Sequence, residues 1–390
     1  MRTAVSIDPK IMDWIVERMK IESLNEKLSE NIHLWISGSK QPTFNQIEDL
    51  SRAINIPLGY FFLKTPPTED LSLLEYRTTN SRELNNPSRN LIDTIRQMEN
   101  VQDWMRNYMI ESNDSILEFV GSQKRSKDVL DIASKMREVL GLKINWYLDS
   151  QDANDSFKRV RKHAEEIGIV VMMNGIVGNN THRKLDIEEF RAFTLIDDYA
   201  PLIFINSNDS ANGKLFSLFH EMSHIWMGRN SLFNDRFSNE TNISEIEVIC
   251  NAITGELLVP NVNFIEEWKL CNNNFTIEEK VRALSNLFNC GITVIARKAL
   301  NNNYINASQY SMIAEKAISN FLALQERKQN ESSSGGDFYR TIATRLDGRF
   351  LNALANSTQE GKTLYTDAFA LTNTNRTTFI TLIRKMRGES

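Results

Sequence analysis

The run His220-Glu221-Met222-Ser223-His224 constrains this 390-residue chain more than any other feature, because it places two of only five histidines four residues apart. On a helix, residues i and i+4 lie one turn apart on the same face. Two imidazoles at that spacing can grip one metal ion, and Glu221 can reach a water that the metal activates. With so few histidines, the pattern should arise by chance in on the order of a few chains per thousand. The surrounding residues add to the constraint. Lys214 to Gly228 is mostly apolar and reads as a buried helix with a glycine at its C-cap. Burial lowers the local dielectric and keeps the imidazoles neutral, as ligation requires. The alternative is a core helix whose histidines bond backbone groups.

A catalytic zinc also needs a third protein ligand and an open position. The helix that follows offers Glu245, Glu247 and Glu256. Glu247 is preferred, because Asn251 lies one turn further on and could hold the far nitrogen of a zinc-bound histidine, fixing its tautomer. Ser244-Glu245-Ile246-Glu247 is also a capping-box pattern, so Glu247 could instead cap its own helix. Cys250 reads as a buried apolar residue. Tyr199 reads as a turn residue before a strand, and no oxyanion partner is assigned.

The length suggests two or three domains. Residues 1–68 read as short helices: Pro9 opens one with Ile11, Met12, Ile15 and Met19 at helical spacing, and Thr43 can cap another carrying Ile47, Leu50 and Ile54. A linker helix is expected within 69–111. The largest unit, 112–328, has helical stretches near 126–140 and 153–167. Strand-like runs follow at Gly168–Met173, Phe190–Ile196 and Pro201–Asn206, then helices near 209–227 and 244–258. Strands ahead of a block of helices predict a mostly helical α+β fold. Residues 329–336 are polar and Gly/Ser-rich, as in a flexible linker, and 337–390 reads as a helical C-terminal module. A net charge of −5 excludes a generally basic nucleic-acid coat. Three cysteines without CxxC spacing cannot form a disulfide framework. No signal peptide and no membrane-spanning run is expected, so a cytoplasmic location is.

Several ordered stretches together resemble the ImmA/IrrE family of metallopeptidases, in the form fused behind an Xre-type helix-turn-helix domain. They are Leu185 to Phe193, Tyr199 to Asn206, the histidine helix and Glu247 to Pro260, with Thr43 to Phe62 in front and Gly336 to Arg340 near the end. The resemblance implies a thermolysin-like (gluzincin) core whose strand near 190–196 is the substrate-binding edge. It carries the third-ligand role onto Glu247, so that His220, His224 and Glu247 hold Zn²⁺ and Glu221 is the general base. It implies a zinc endopeptidase acting on a specific regulatory protein, such as a repressor or a toxin–antitoxin or mobile-element partner. The rival is a non-proteolytic regulator or antitoxin that binds a partner toxin (for example a PIN-like ribonuclease) or DNA. The front unit departs from the Xre pattern. Leu24 to Trp35 is about three residues short of a turn plus a reading helix, and the first 70 residues carry 8 basic against 10 acidic side chains. DNA affinity rests on cationic neutralisation of phosphates, so partner recognition or scaffolding suits this unit better.

Overall fold

Residues 4–17, 26–67, 87–233, 245–330 and 338–387, described by a computed structural model, form a mostly helical α+β protein with a small mixed sheet. Contacts divide the chain into Met1–Ser72 with Arg82–Asp93, and Leu73–Ser81 with Thr94–Ser390. In the first unit, α1 (Pro9–Glu17), α2 (Glu26–Ile36) and α3 (Phe44–Ile54) precede a 3₁₀ turn, Leu58–Phe62. Ile11, Ile15, Ile32, Ile47, Leu50 and Phe61 form its core. Thr43 caps α3 through a reciprocal box with Gln46, and Asn55 ends that helix in the left-handed region. Glu26–Ile36 is one unbroken helix; Met19 and Leu24 lie outside the described residues.

The boundary between the units falls inside α4 (Arg89–Glu111). The second unit continues with α5 (Val129–Leu140), α6 (Ala153–Glu166), β1 (Val170–Asn174), β2 (Ile176–Val177), β3 (Asn180–Lys184), β4 (Ala192–Leu195) and β5 (Leu202–Asn206). Next come α7 (Ala211–Met227), β6 (Ser231–Phe233), α8 (Glu245–Leu258), α9 (Asn261–Leu270), α10 (Ile277–Leu287), α11 (Ile292–Asn301) and α12 (Ala307–Asn330). The last helices are α13 (Phe338–Arg345), α14 (Gly348–Gln359), α15 (Tyr365–Thr372) and α16 (Arg376–Met386). They belong to this same compact unit. Residues 331–336 of the expected linker lie outside the described residues.

The sheet has the order β1-β5-β4-β6, with β1 parallel to β5 and the other pairs antiparallel; β2 and β3 form a separate hairpin. Every residue of β4 and β5 is buried. Such strands read as continuous apolar runs because both faces are covered. Gln102 donates to the carbonyls of Leu195 and Ala200, closing the β4–β5 turn. Tyr199 lies in that turn, where its N–H donates to Asp197.

The sheet order corrects one expectation. The strand near 190–196 is not an edge, because β6 covers it: Ala192 pairs with Phe233, Phe193 with Leu232 and Thr194 with Ser231. Only three residues separate α7 from β6, so the chain turns at Gly228 and runs straight back along β4. Gly228 has φ +65°, and a Cβ there would sit 2.9 Å from the Gly121 backbone, so the turn admits glycine alone without strain. A three-residue strand after a helix leaves almost no periodicity, so β6 has no signature in the sequence.

The opposite edge is also closed. Val171 N–H donates to Asp347, and Arg161 donates to the carbonyls of Val171, Thr344 and Leu346. Asp347 also caps α14. Arg161 further pairs with Glu165 at 2.7 Å. Burial, and then the Asp347 carboxylate, push Glu165 up from 4.5 to about 7 against the pull of Arg161. Burial pushes Asp347 in the same direction. A carboxyl raised by folding binds its proton more tightly in the native state, so its stabilisation is complete below the unfolded value and is lost as pH rises through the folded one. Glu165→Gln should therefore flatten the loss of stability between about pH 4.5 and 7 in urea unfolding, compared with wild type. Parallel curves for the two proteins would sink this account.

Candidate metal centre

In the helix α7, Leu215 and every residue from Ser217 to Met227 are buried, so its last three turns are enclosed on all sides. Both ends are fixed. Ser210 caps the start, and the Asp209 carboxylate beside it is gripped by Arg191 at 2.9 and 3.1 Å. Gly228 satisfies the last carbonyls, His224 and Ile225. His220, Glu221 and His224 are at most 1% exposed, so each must find a partner or a ligand within the protein.

Glu247, in the first turn of α8, supplies the partner for both histidines. Its Oε2 lies 3.1 Å from His220 Nε2, and its Oε1 lies 3.3 Å from His224 Nε2. The two Nε2 atoms are 3.1 Å apart. One ligand atom from each of the three residues can be chosen so that all lie within 4.8 Å of one another. A tetrahedral ion with bonds of about 2.0–2.1 Å has ligands spaced by about 3.3 Å, so three side chains this close together could supply part of such a shell. The His220, Glu247 and His224 cluster could therefore bind a metal. The field in the site also favours a cation. Burial opposes charge on Glu247, yet hydrogen bonds from His220 and His224 hold its carboxyl well below the usual range. Burial likewise opposes charge on His224, but Cys250 and Glu247 push it well above an ordinary imidazole.

The other glutamates are used elsewhere. Glu245 is exposed and pairs with Lys127. Glu256 pairs with Lys298 at 2.6 Å and accepts the Asn261 N–H. Ser244, the partner in the alternative capping box, lies outside the described residues. Asn251 requires a correction: it is exposed and no hydrogen bond joins it to a histidine. The buried stripe of α8 runs through Glu247, Cys250, Thr254 and Leu257, so position i+3 rather than i+4 faces α7. Cys250 interacts with His224 from there, without a well-formed hydrogen bond to its Nδ1.

Two residues of the site were missed in the sequence. Thr194 on β4 and Ser231 on β6 both donate to Glu221 Oε2, while Glu221 Oε1 is buried without a hydrogen-bond partner. A lone threonine within the buried Ala192–Leu195 run was a weak signal. Ser231 gave none, since its neighbours in space come from sequence positions far away.

Residues 164–299 match the family model described as peptidase M78, IrrE N-terminal-like domain. That match supports the ImmA/IrrE family and a metallopeptidase. It runs from the end of α6 into α11 and contains the whole histidine–glutamate cluster. Residues 346–385 match a domain of unknown function, DUF8813. No curated protein and no solved structure matches the chain. No single helix among the described residues is long and apolar enough to cross a membrane.

If the cluster holds one metal ion per chain, His220→Ala and Glu247→Ala should each abolish its tight binding, whereas Glu221→Gln should retain it, as read by metal analysis after dialysis. Asn251→Ala should leave the affinity unchanged in a chelator competition. Unchanged zinc affinity in Glu247→Ala would return that residue to a capping role.

Proposed function

We propose that this chain is a zinc-dependent endopeptidase that cuts one regulatory protein, a repressor or a toxin–antitoxin or mobile-element partner, on a thermolysin-like core. The observation that carries the reading is the convergence of His220, His224 and Glu247, whose imidazole Nε2 atoms lie 3.1 Å apart and 3.1 and 3.3 Å from the two Glu247 oxygens, with the buried Glu221 carboxylate on the same helix as the histidines. His220, His224 and Glu247 would hold the ion. Bound zinc would supply Lewis acidity, polarising the scissile carbonyl and acidifying the attacking water. Glu221 would accept the water's proton and return it to the departing amine nitrogen.

Selectivity has to come from surfaces outside this site, since its chemistry is common to any peptide bond. The first unit suits a docking role better than DNA reading. The first 70 residues are net acidic, and Glu26–Ile36 forms one continuous helix. One observation favours the rival reading, a regulator that binds its partner without cutting it. The strand β4, which an extended substrate could have joined, already pairs with β6.

Wild-type and Glu221→Gln proteins, both zinc-loaded, should be incubated with candidate partner proteins and the fragments mapped by mass spectrometry. Wild type should cut one partner at one extended segment and leave unfolded casein nearly intact, while Glu221→Gln should bind that partner and not cut it. Equal binding to both with no cleavage by either would decide for the non-proteolytic regulator.

A further inference from the structure

Glu221 is held in an asymmetric way that neither metal ligation nor core packing requires. The β4–β6 register sets Thr194 directly opposite Ser231. Both hydroxyls donate to the same carboxylate oxygen, Glu221 Oε2. Thr194 Oγ1 also lies 3.3 Å from the Glu221 backbone carbonyl, so this hydroxyl spans the carboxylate and the helix that carries it. All three residues are at most 3% exposed. Each hydroxyl has one proton to give, and both are directed at Oε2. The other oxygen, Oε1, is equally buried and has no hydrogen-bond partner. Leaving one buried carboxylate oxygen without a protein partner is costly unless a water or substrate meets it. Valine and alanine would fill the Thr194 and Ser231 positions equally well by volume and would bury no polar group.

We propose that Thr194 and Ser231 are positioning residues for Glu221: their hydroxyls fix Oε2 so that Oε1 is the atom presented to the proton. The role also explains why a three-residue strand is kept beside β4. The segment β6 brings one donor to the general base, and β4 brings the other. Without them the carboxylate could rotate about its last torsion, which is broad and roughly two-fold, and the accepting oxygen would be unspecified. A general base must lie within hydrogen-bond reach of its proton, so loss of orientation should slow turnover and leave substrate affinity largely intact.

The turnover part of this inference rests on the peptidase reading, and the spectroscopic part does not. Thr194→Val, Thr194→Ser and Ser231→Ala should be prepared as zinc-loaded full-length proteins, with Glu221→Gln as the reference. Isotope-edited infrared spectra identify the Glu221 carboxylate stretch as the band that Glu221→Gln removes. That band should shift in Thr194→Val and in Ser231→Ala and return in Thr194→Ser. With a pool of internally quenched peptides as probe, kcat should fall about tenfold to a hundredfold in the first two, with KM within about twofold and zinc content unchanged. Thr194→Ser should recover most of the lost kcat. An unmoved band overturns the proposal, and so does an unchanged kcat. A rise in kcat for Ser231→Ala overturns it too, because β6 would then restrain the enzyme. If Thr194→Val does not fold, Ser231→Ala carries the test. If wild type cuts neither a peptide nor any candidate partner protein, the peptidase reading fails and the infrared shift alone decides the positioning role.

Discussion

Three ionisable side chains on one helix, His220, Glu221 and His224, are buried inside the second unit, and the elements around them are arranged to satisfy them. Moving such groups out of water costs several kcal/mol per charge unless partners or a metal compensate. The pairing of His220 and His224 with both oxygens of Glu247 supplies that compensation. It ties α7 to α8, which meet through buried residues on both helices. The sheet meets the third group: Glu221 is reached from β4 and β6 by two hydroxyls.

The supports of that helix are as specific as the helix itself. Arg191 and Asp209 anchor its entry, and Gly228 lets the chain reverse so tightly that β6 follows within three residues. The same reversal delivers Ser231 to Glu221 and closes the outer side of β4. One backbone turn therefore decides both the shape of the sheet near the site and the orientation of the residue proposed as its base. The far edge of the sheet depends on the C-terminal helices through Asp347 and Arg161. Those helices are consequently part of the body that holds the site in place.

Much of this was legible in the sequence, for a physical reason. Local spacing determined the histidine helix, its glycine cap and the capping of α3, because each depends on residues within one or two turns. The buried runs at β1, β4 and β5 stood out through their β-branched and aromatic residues, within one or two residues of their ends. Glu247 could be preferred over Glu245 and Glu256, but three glutamates on one helix cannot be separated by spacing alone.

Tertiary structure decided the rest. Which helical face of α8 meets α7 is set by packing, and it put Cys250 rather than Asn251 beside His224. The placement of β6 against β4 depends on hydrogen bonds between segments over thirty residues apart, and no local pattern encodes such a pairing. For the same reason Thr194 and Ser231 became a pair only when the chain folded. Local spacing and composition were enough to show that a helix carrying two histidines one turn apart would form and be buried. Only the fold decided what would touch it, because burial follows from composition while contact follows from where distant elements are brought together.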